Sequence, residues 1–340
     1  MGARRHRQGL GPFVARWLRE AGAEVPAFFC TSAASVAEAG EQLRRVAGLD
    51  ARGHHEPAAF LDEELDGLAI LSPAGHHRVW LERALEARLD VLCEKPLVWG
   101  DEAEGTAARE LVTAFGEQGL LLLENAQWPA TLPAFHALHP DAAGEPLRRF
   151  AMRMAPASVG VDMIGDALSH PLSVLQALRP AATARVEEPR FSTHHPAATE
   201  LSVHFRWVAE GALEPDPADP LAWPAGGAEP GPVALAREGE ERSVEVLVEL
   251  SASPGQPREA SLAVNDRWAH RLIRTRDYAL FFASGATLVD VPDPLALHLE
   301  RFVAALRRDR PRGSAAENTR IVQRLEALDT LRRAFHRDTA

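Results

Sequence analysis

The stretch that decides the fold runs from Asp66 to Pro96 and reads DGLAILSPAGHHRVWLERALEARLDVLCEKP. Gly67 to Ser72 is an apolar run that stops at Pro73, Val79, Trp80, Leu85 and Ala87 then recur at helical spacing, and Val91 to Cys93 is a second apolar run that stops at Glu94-Lys95-Pro96. Strands that are apolar throughout, rather than at every second residue, belong to a sheet covered on both faces, and a helix between two of them makes the pair parallel. The same alternation extends in both directions. Gly11 and Pro12 suit a helix start, and Phe13, Val14, Trp17, Leu18 and Ala21 keep one face apolar until Gly22. A strand over Val25 to Cys30 and a helix through Val36, Leu43 and Val46 follow. After the quoted stretch, Asp101 is placed to cap a helix carrying Leu111, Val112 and Phe115, and Leu120 to Leu123 closes the series. The reading is α/β, a doubly wound parallel sheet of Rossmann type.

Beyond about residue 150 the pattern changes to longer segments, Glu200 to Val208, Ser243 to Leu250 and Ala260 to Val264, which read as antiparallel strands of an α+β region with an open sheet. Residues 209–232 hold many Pro, Gly and Asp without periodicity and read as an exposed loop or insertion, and 319–335 as an amphipathic helix. A chain of 340 residues exceeds the ~250 that one core usually serves, so two domains are expected, 1–127 and 128–340.

Composition narrows the function classes. A formal charge of −11 offers no basic footprint for nucleic acid or anionic lipid, which leaves a small molecule as the expected partner. Cys30 and Cys93 cannot form a disulfide framework, and no run of eighteen apolar residues or export leader is seen, so a cytoplasmic, non-membrane protein is expected. The pairs His54-His55, His76-His77 and His194-His195 lack the spacing of a metal site, and no metal is assigned.

In an open parallel sheet, ligands bind outside the carboxyl ends of the strands. Three polar groups fall there: Ser72-Pro73 with His77 soon after, Glu94-Lys95-Pro96, and Glu124-Asn125 with Gln127 and Trp128. A lysine after an apolar strand is ordinarily a solvated end; here the following proline holds Lys95 extended, on the rim where ligand is expected. His77 reads equally as a cofactor contact or as a surface group. Further on, Asp166 and His170 are four residues apart and share a face on a helix, where a carboxylate can fix the tautomer of an imidazole, with Asp162 one turn back. The bland alternative for that pair is a buried structural histidine.

The Asp66 to Pro96 stretch, with VDMIGDALSHPLSVLQAL from Val161 to Leu178, resembles the glucose-fructose oxidoreductase, inositol dehydrogenase and MocA family. The resemblance implies an N-terminal NAD(P)-binding Rossmann domain and a C-terminal substrate-binding and oligomerisation domain. It implies hydride transfer between nicotinamide and a carbinol or carbonyl carbon of a sugar- or polyol-like substrate, and a homo-oligomer, dimer or tetramer. It places Lys95 beside nicotinamide and substrate with Asp166 and His170 completing the catalytic set, and it admits a cis Lys95–Pro96 bond. The expected cofactor contacts are Gly9, Gly11, Thr31, Ser32, Ser72, Pro73, His77, Glu94, Lys95, Pro96, Asn125 and Gln127. Chemistry supports these roles: hydride loss from a carbinol needs a base for the hydroxyl proton, here His170, and a cation for the developing alkoxide, here Lys95.

One part of the pattern is missing. A Rossmann domain opens with an apolar strand that feeds a glycine-rich turn, but residues 2–8 are GARRHRQ, and the third glycine position after Gly9-Leu10-Gly11 is Val14. The favoured expectation is a recorded start downstream of the true one; the alternative is a non-catalytic, ligand-binding or regulatory member with impaired dinucleotide binding. At the end of the Val25 to Cys30 strand, Thr31-Ser32 replaces the acidic residue that holds NAD ribose hydroxyls, which tilts the expectation slightly from NAD to NADP, with Arg4, Arg5 and Arg7 as candidates for a 2′-phosphate.

Overall fold

A computed structural model describes residues 9–142, 144–213, 243–253, 255, 258–308 and 313–337. The candidate arginines Arg4, Arg5 and Arg7, and most of the loop read at 209–232, lie outside the described residues. The chain divides into two compact units. The first takes the described residues up to Asn125 together with Leu295–Asn318, and the second takes those from Ala126 to Pro294 and from Thr319 on.

In the first unit the elements alternate as the apolar runs require: α1 (Gly11–Glu20), β1 (Ala27–Phe29), α2 (Ala33–Ala47), β2 (Arg52–His54), α3 (Pro57–Leu61), β3 (Gly67–Ile70), α4 (His77–Glu86), β4 (Asp90–Cys93), α5 (Glu102–Glu117) and β5 (Leu122–Glu124). Local chemistry sets the ends. Ser32 caps α2 by accepting from the Ser35 amide, Gly48 closes it in the left-handed conformation at φ 61°, and Asp101 caps α5 by accepting from the Glu104 amide. The strands pair in parallel, β3-β4-β5 in one sheet and β1-β2 in another. The sequence reading has no counterpart for β2, whose residues Arg52, Gly53 and His54 carry no apolar signal; pairing with β1 alone makes them a strand. The core is correspondingly divided. Leu92, Leu121 and Leu123 pack with Val14 and with Leu299 and Phe302, while Phe28, Cys30, Ala39 and Leu43 pack with Ala15.

The second unit is built on an eight-stranded sheet of β6 (Arg149–Met154), β7 (Thr183–Phe191), β8 (Glu200–Glu210), β9 (Ser243–Ser251), β10 (Ala260–Val264), β11 (Arg267–Arg274), β12 (Ala279–Ser284) and β13 (Thr287–Val291). Its order is β13-β12-β11-β10-β6-β9-β8-β7, antiparallel except where β6 meets β9. Alternation sorts its faces. Val203, Phe205 and Trp207 of β8 and Val244, Val246 and Val248 of β9 are buried, whereas Leu272 and Leu288 stand exposed. The helices of this unit are α6 (Leu132–Leu138), α7 (Asp162–Ala167), α8 (Ser169–Leu178) and most of α10 (Ala315–Arg337), whereas α9 (Pro294–Leu306) belongs almost wholly to the first unit. Two units of different construction thus stand where the sequence reads a parallel and then a mostly antiparallel sheet.

Candidate active site

The carboxyl ends of β3, β4 and β5 lie side by side, so Ser72, Glu94-Lys95 and Asn125 emerge on one rim of the first unit. The Lys95–Pro96 peptide bond is cis. The turn is fastened on both sides. His77, only 1% exposed, sets Nδ1 at 3.0 Å from the Pro96 carbonyl and 3.2 Å from that of Leu97, and Nε2 at 2.7 Å from the Ser72 carbonyl. It is neither a surface group nor an open cofactor contact; it bridges the end of β3 to the turn after β4. Burial lowers the pKa of His77, and the facing carbonyls of Ser72, Pro96 and Leu97 oppose that shift without overcoming it.

From the other side, Glu124 is 2% exposed and accepts from the Leu97 amide at 2.9 Å, and its own carbonyl accepts from His298 Nε2 at 3.0 Å. Asn125 donates its side-chain amide to the Glu94 carboxylate and its backbone N–H to the Cys93 carbonyl at 2.7 Å. Burial, then the nearby Glu124 and Glu94 carboxylates, push the Cys93 thiol well above its ordinary pKa, so it is a packed thiol rather than a nucleophile. Two polar atoms on this rim are buried with no partner among the described residues, Ser72 Oγ and Asn125 Oδ1. Buried groups of that kind call for a hydrogen-bonding ligand, and a hydroxyl and an amide oxygen suit the carboxamide end of a nicotinamide.

The dinucleotide end is written more thinly. Gly11 begins α1 and the Phe13 amide bonds back to the Leu10 carbonyl at 3.0 Å, which leaves a helix N-terminus but no long glycine loop. Thr31 and Ser32 are exposed after β1, with the Ser32 hydroxyl engaged in capping α2.

In the second unit, the Asp166 carboxylate accepts from the Ala157 amide at 2.8 Å and from the Ser158 hydroxyl at 3.1 Å. The single helix read through Asp166 and His170 is broken: α7 ends at Ala167, Leu168 turns, and α8 starts at Ser169. Pro171 has no N–H to offer the Ala167 carbonyl, which is the physical reason for the restart. His170 is 9% exposed and its ring centroid lies 6.2 Å from that of Trp128. Gln127 Oε1 and Ser169 Oγ beside them are buried without partners among the described residues.

The sequence reading misses Arg271. It lies on β11 in register with the fully buried Ala269, places its guanidinium 5.2 Å from the Trp128 ring, and donates Nη2 to the Arg258 carbonyl at 2.6 Å. Burial lowers its pKa to about 10. The one available signal is an arginine on the apolar phase of an alternating strand, and β11 is too rich in Arg and His for that phase to be read.

Comparison with known proteins now bears on this geometry. Residues 11–126 match the model of the GFO_IDH_MocA oxidoreductase family, NAD-binding Rossmann fold. Over this segment the chain is similar to that family. Among curated proteins it is 38% identical over 69 residues to dTDP-3,4-didehydro-2,6-dideoxy-alpha-D-glucose 3-reductase of Actinomadura kijaniata, a match that spans 20% of that enzyme's length. Among solved structures, UDP-N-acetylglucosamine 3-dehydrogenase from Acidithiobacillus ferrooxidans is 18% identical with a TM-score of 0.57, covering 95% of this chain and 97% of its own. The WlbA dehydrogenase of Thermus thermophilus, solved with NAD and UDP-GlcNAcA, is 16% identical with a TM-score of 0.59, covering 96% and 92%. A 3-ketoreductase from Actinomadura kijaniata, solved with NADP and TDP-benzene, is 15% identical with a TM-score of 0.60, covering 94% and 92%. At these identities the structures show a shared fold. Among the described residues, no helix is long and apolar enough to cross a membrane.

Proposed function

We propose that the protein is an NAD(P)-dependent oxidoreductase that moves a hydride between nicotinamide and a carbinol or carbonyl carbon of a small, sugar- or polyol-like substrate. The observation that carries this reading is the rim of the first unit, where Lys95 stands between Ser72 and Asn125 at the ends of three adjacent parallel strands inside the family-matched segment. When bound, NAD(P) supplies a two-electron hydride acceptor or donor. The rest falls to this chain. Ser72 and Asn125 hold the carboxamide, Pro73, Glu94, Pro96 and Gln127 shape that end, and Gly9 and Gly11 leave room at the α1 N-terminus. The Lys95 ammonium steadies negative charge on the substrate oxygen and His170 takes or returns the hydroxyl proton, with Asp166 as its acidic partner. Absence of a carboxylate at Thr31-Ser32 favours NADP over NAD. A dehydrogenase of the same fold solved with UDP-GlcNAcA supports a sugar-like substrate. The exposed Leu272 and Leu288, on one face of the sheet, are the surface on which the expected homo-oligomer would pair.

Titration of the protein with NADPH and NADH, followed by cofactor fluorescence, tests the first step, and absence of any binding overturns the reading. Lys95→Ala should keep cofactor affinity within a few-fold while turnover falls at least ~100-fold, the span expected when a group that assists proton or charge transfer is removed. Retained turnover removes Lys95 from the chemistry. A non-catalytic member of the same family is the competing reading, and the break between β1 and β3 is the observation that favours it.

A further inference from the structure

We infer that Arg271 is an oxyanion-binding residue and, resting on the oxidoreductase reading, that the substrate is an acidic sugar or polyol, one that carries a carboxylate or a phosphate. β11 holds three arginines, and they are housed differently. Arg267 gives two nitrogens to the Glu145 carboxylate at 2.8 Å and a third to Asp141 at 3.1 Å, and Arg274 binds both carboxylate oxygens of Asp277 at 2.8 Å. Arg271, between them in sequence, is in register with Phe282 of β12, which is fully buried, so its side chain leaves the strand on the core face.

On that face it meets no carboxylate among the described residues. Nη2 donates to the Arg258 carbonyl at 2.6 Å, the guanidinium carbon lies 5.2 Å from the centre of the Trp128 ring, and Nε is buried without a hydrogen-bond partner among the described residues. Arg258, which supplies that carbonyl, has its own Nε buried in the same condition. Burial alone lowers the Arg271 pKa, to about 10, with no neighbouring charge opposing it, so at neutral pH the group remains a cation. A shielded guanidinium without a counter-ion is costly, and an indole face offsets only part of that cost.

The unmet groups select the ligand. A neutral hydroxyl would satisfy Nε but leave the charge uncompensated, whereas a carboxylate or phosphate oxygen does both and matches the planar fork of the guanidinium. The indole that carries Arg271 also lies 6.2 Å from the His170 ring, centre to centre, so the oxyanion seat and the proposed base are neighbours of one side chain and within reach of a single sugar-sized ligand. Ser169, the residue before His170, has its hydroxyl buried without a partner among the described residues, which suits a ligand hydroxyl. A polyhydroxylated acid meets all three needs. The competing role for Arg271 is a strut that ties the Arg258 carbonyl to the sheet. The two roles differ in sign, because a strut stabilises the unliganded protein, whereas replacing an uncompensated buried charge by an apolar side chain does not destabilise it.

Isothermal titration calorimetry on the full chain, without cofactor and again with NADP+, compares D-glucuronate, D-glucose 6-phosphate and D-glucose. Binding of the sugars is read separately from binding of NADP+, so failure here is distinct from failure of the oxidoreductase reading. At least one anion should bind at least ~10-fold tighter than glucose, the step expected of a charge-assisted hydrogen bond. Arg271→Met should erase that preference, leave NADP+ affinity within a few-fold, and keep or raise the melting temperature of the unliganded protein. Arg271→Lys, which keeps the charge and loses the fork, should retain part of the preference. Glucuronate ahead of glucose 6-phosphate assigns a carboxylate, and the reverse order a phosphate. Equal binding of all three sugars, an anion preference that survives Arg271→Met, a loss in that variant that falls on NADP+ instead, or a melting temperature lowered by ~5 °C or more in both variants would overturn the inference.

Discussion

The two halves of the first unit are built from the same kind of element and are held together very differently. Around β3, β4 and β5, each strand end is tied to the next: His77 joins Ser72 to Pro96, Glu124 takes the Leu97 amide, Asn125 reaches both Cys93 and Glu94, and Asp90 accepts from the Leu121 amide at 2.7 Å. Around β1 and β2 there is one short ladder of three residue pairs, and its polar contacts, such as Arg52 and His54 with Glu63, lie at the margin. The difference teaches where rigidity has been invested. The rim that carries Lys95 is braced from beneath by buried polar groups, whereas the side of β1 and β2 rests mainly on apolar packing of α1 and α2.

Truncating one leucine in each half is the strongest way to break that comparison. Leu92 and Leu43 are both fully buried, but Leu92 sits on the central strand of the tied sheet and Leu43 on a helix over the two-stranded one. Leu92→Ala should cost about 4 kcal/mol of global stability and Leu43→Ala about 2 kcal/mol, because a cavity beside loosely held elements can partly collapse. Chemical denaturation measures both. Equal losses in a single transition would show that the two halves fold as one and that the comparison is empty.

The same contrast decides what the sequence shows on its own. Apolar strands ending in Ser-Pro and Glu-Lys-Pro are local signals, and the parallel sheet and the Lys95 rim follow from them. β2 has no such signal, because the pairing that makes Arg52-Gly53-His54 a strand comes from β1. His77 reads as a contact or a surface group because its three carbonyl partners lie up to twenty residues away. In the second unit, the Asp166 and His170 spacing suggests one helix until Pro171 is counted against the Ala167 carbonyl. Arg271 is hidden for another reason: its contact with Trp128 is made by tertiary packing between residues far apart in the chain.

His77 gives a sharper test of the bracing. His77→Ala removes a buried ring and strands the Ser72, Pro96 and Leu97 carbonyls, and should cost about 3 kcal/mol. It should also raise the exchange rate of the Leu97 amide before that of any amide in β2; the reverse order would mean that His77 braces nothing. The sign of its pH dependence is fixed by burial. The folded pKa is lowered, so as pH falls below the unfolded value of about 6.5 the unfolded chain takes the proton first and stability declines, levelling off below the folded pKa. The slope from this one site is at most about 1.4 kcal/mol per pH unit. His77→Gln, which keeps a donor for one carbonyl but cannot titrate, should flatten that part of the profile between pH 7 and 5; an unchanged slope would assign it to other groups, the half-buried His136 first.

The smallest effect belongs to the other half. Ser32 accepts from the Ser35 amide at 3.2 Å and is the only side-chain cap of α2 among the described residues, and it also stands just past the carboxyl end of β1. Ser32→Ala should cost about 1 kcal/mol by leaving a first-turn amide to water. Its value lies in the pairing of two readouts. If Ser32 only caps α2, NADPH affinity should fall no more than the loss of α2 order allows, and Ser32→Asp, which caps equally well, should restore it. A carboxylate at that position repels a 2′-phosphate while it suits a ribose hydroxyl, so a cofactor-binding role predicts that Ser32→Asp restores stability yet shifts preference from NADPH toward NADH. Restored stability with unchanged preference would leave Ser32 as a helix cap and move the basis of any NADP preference elsewhere.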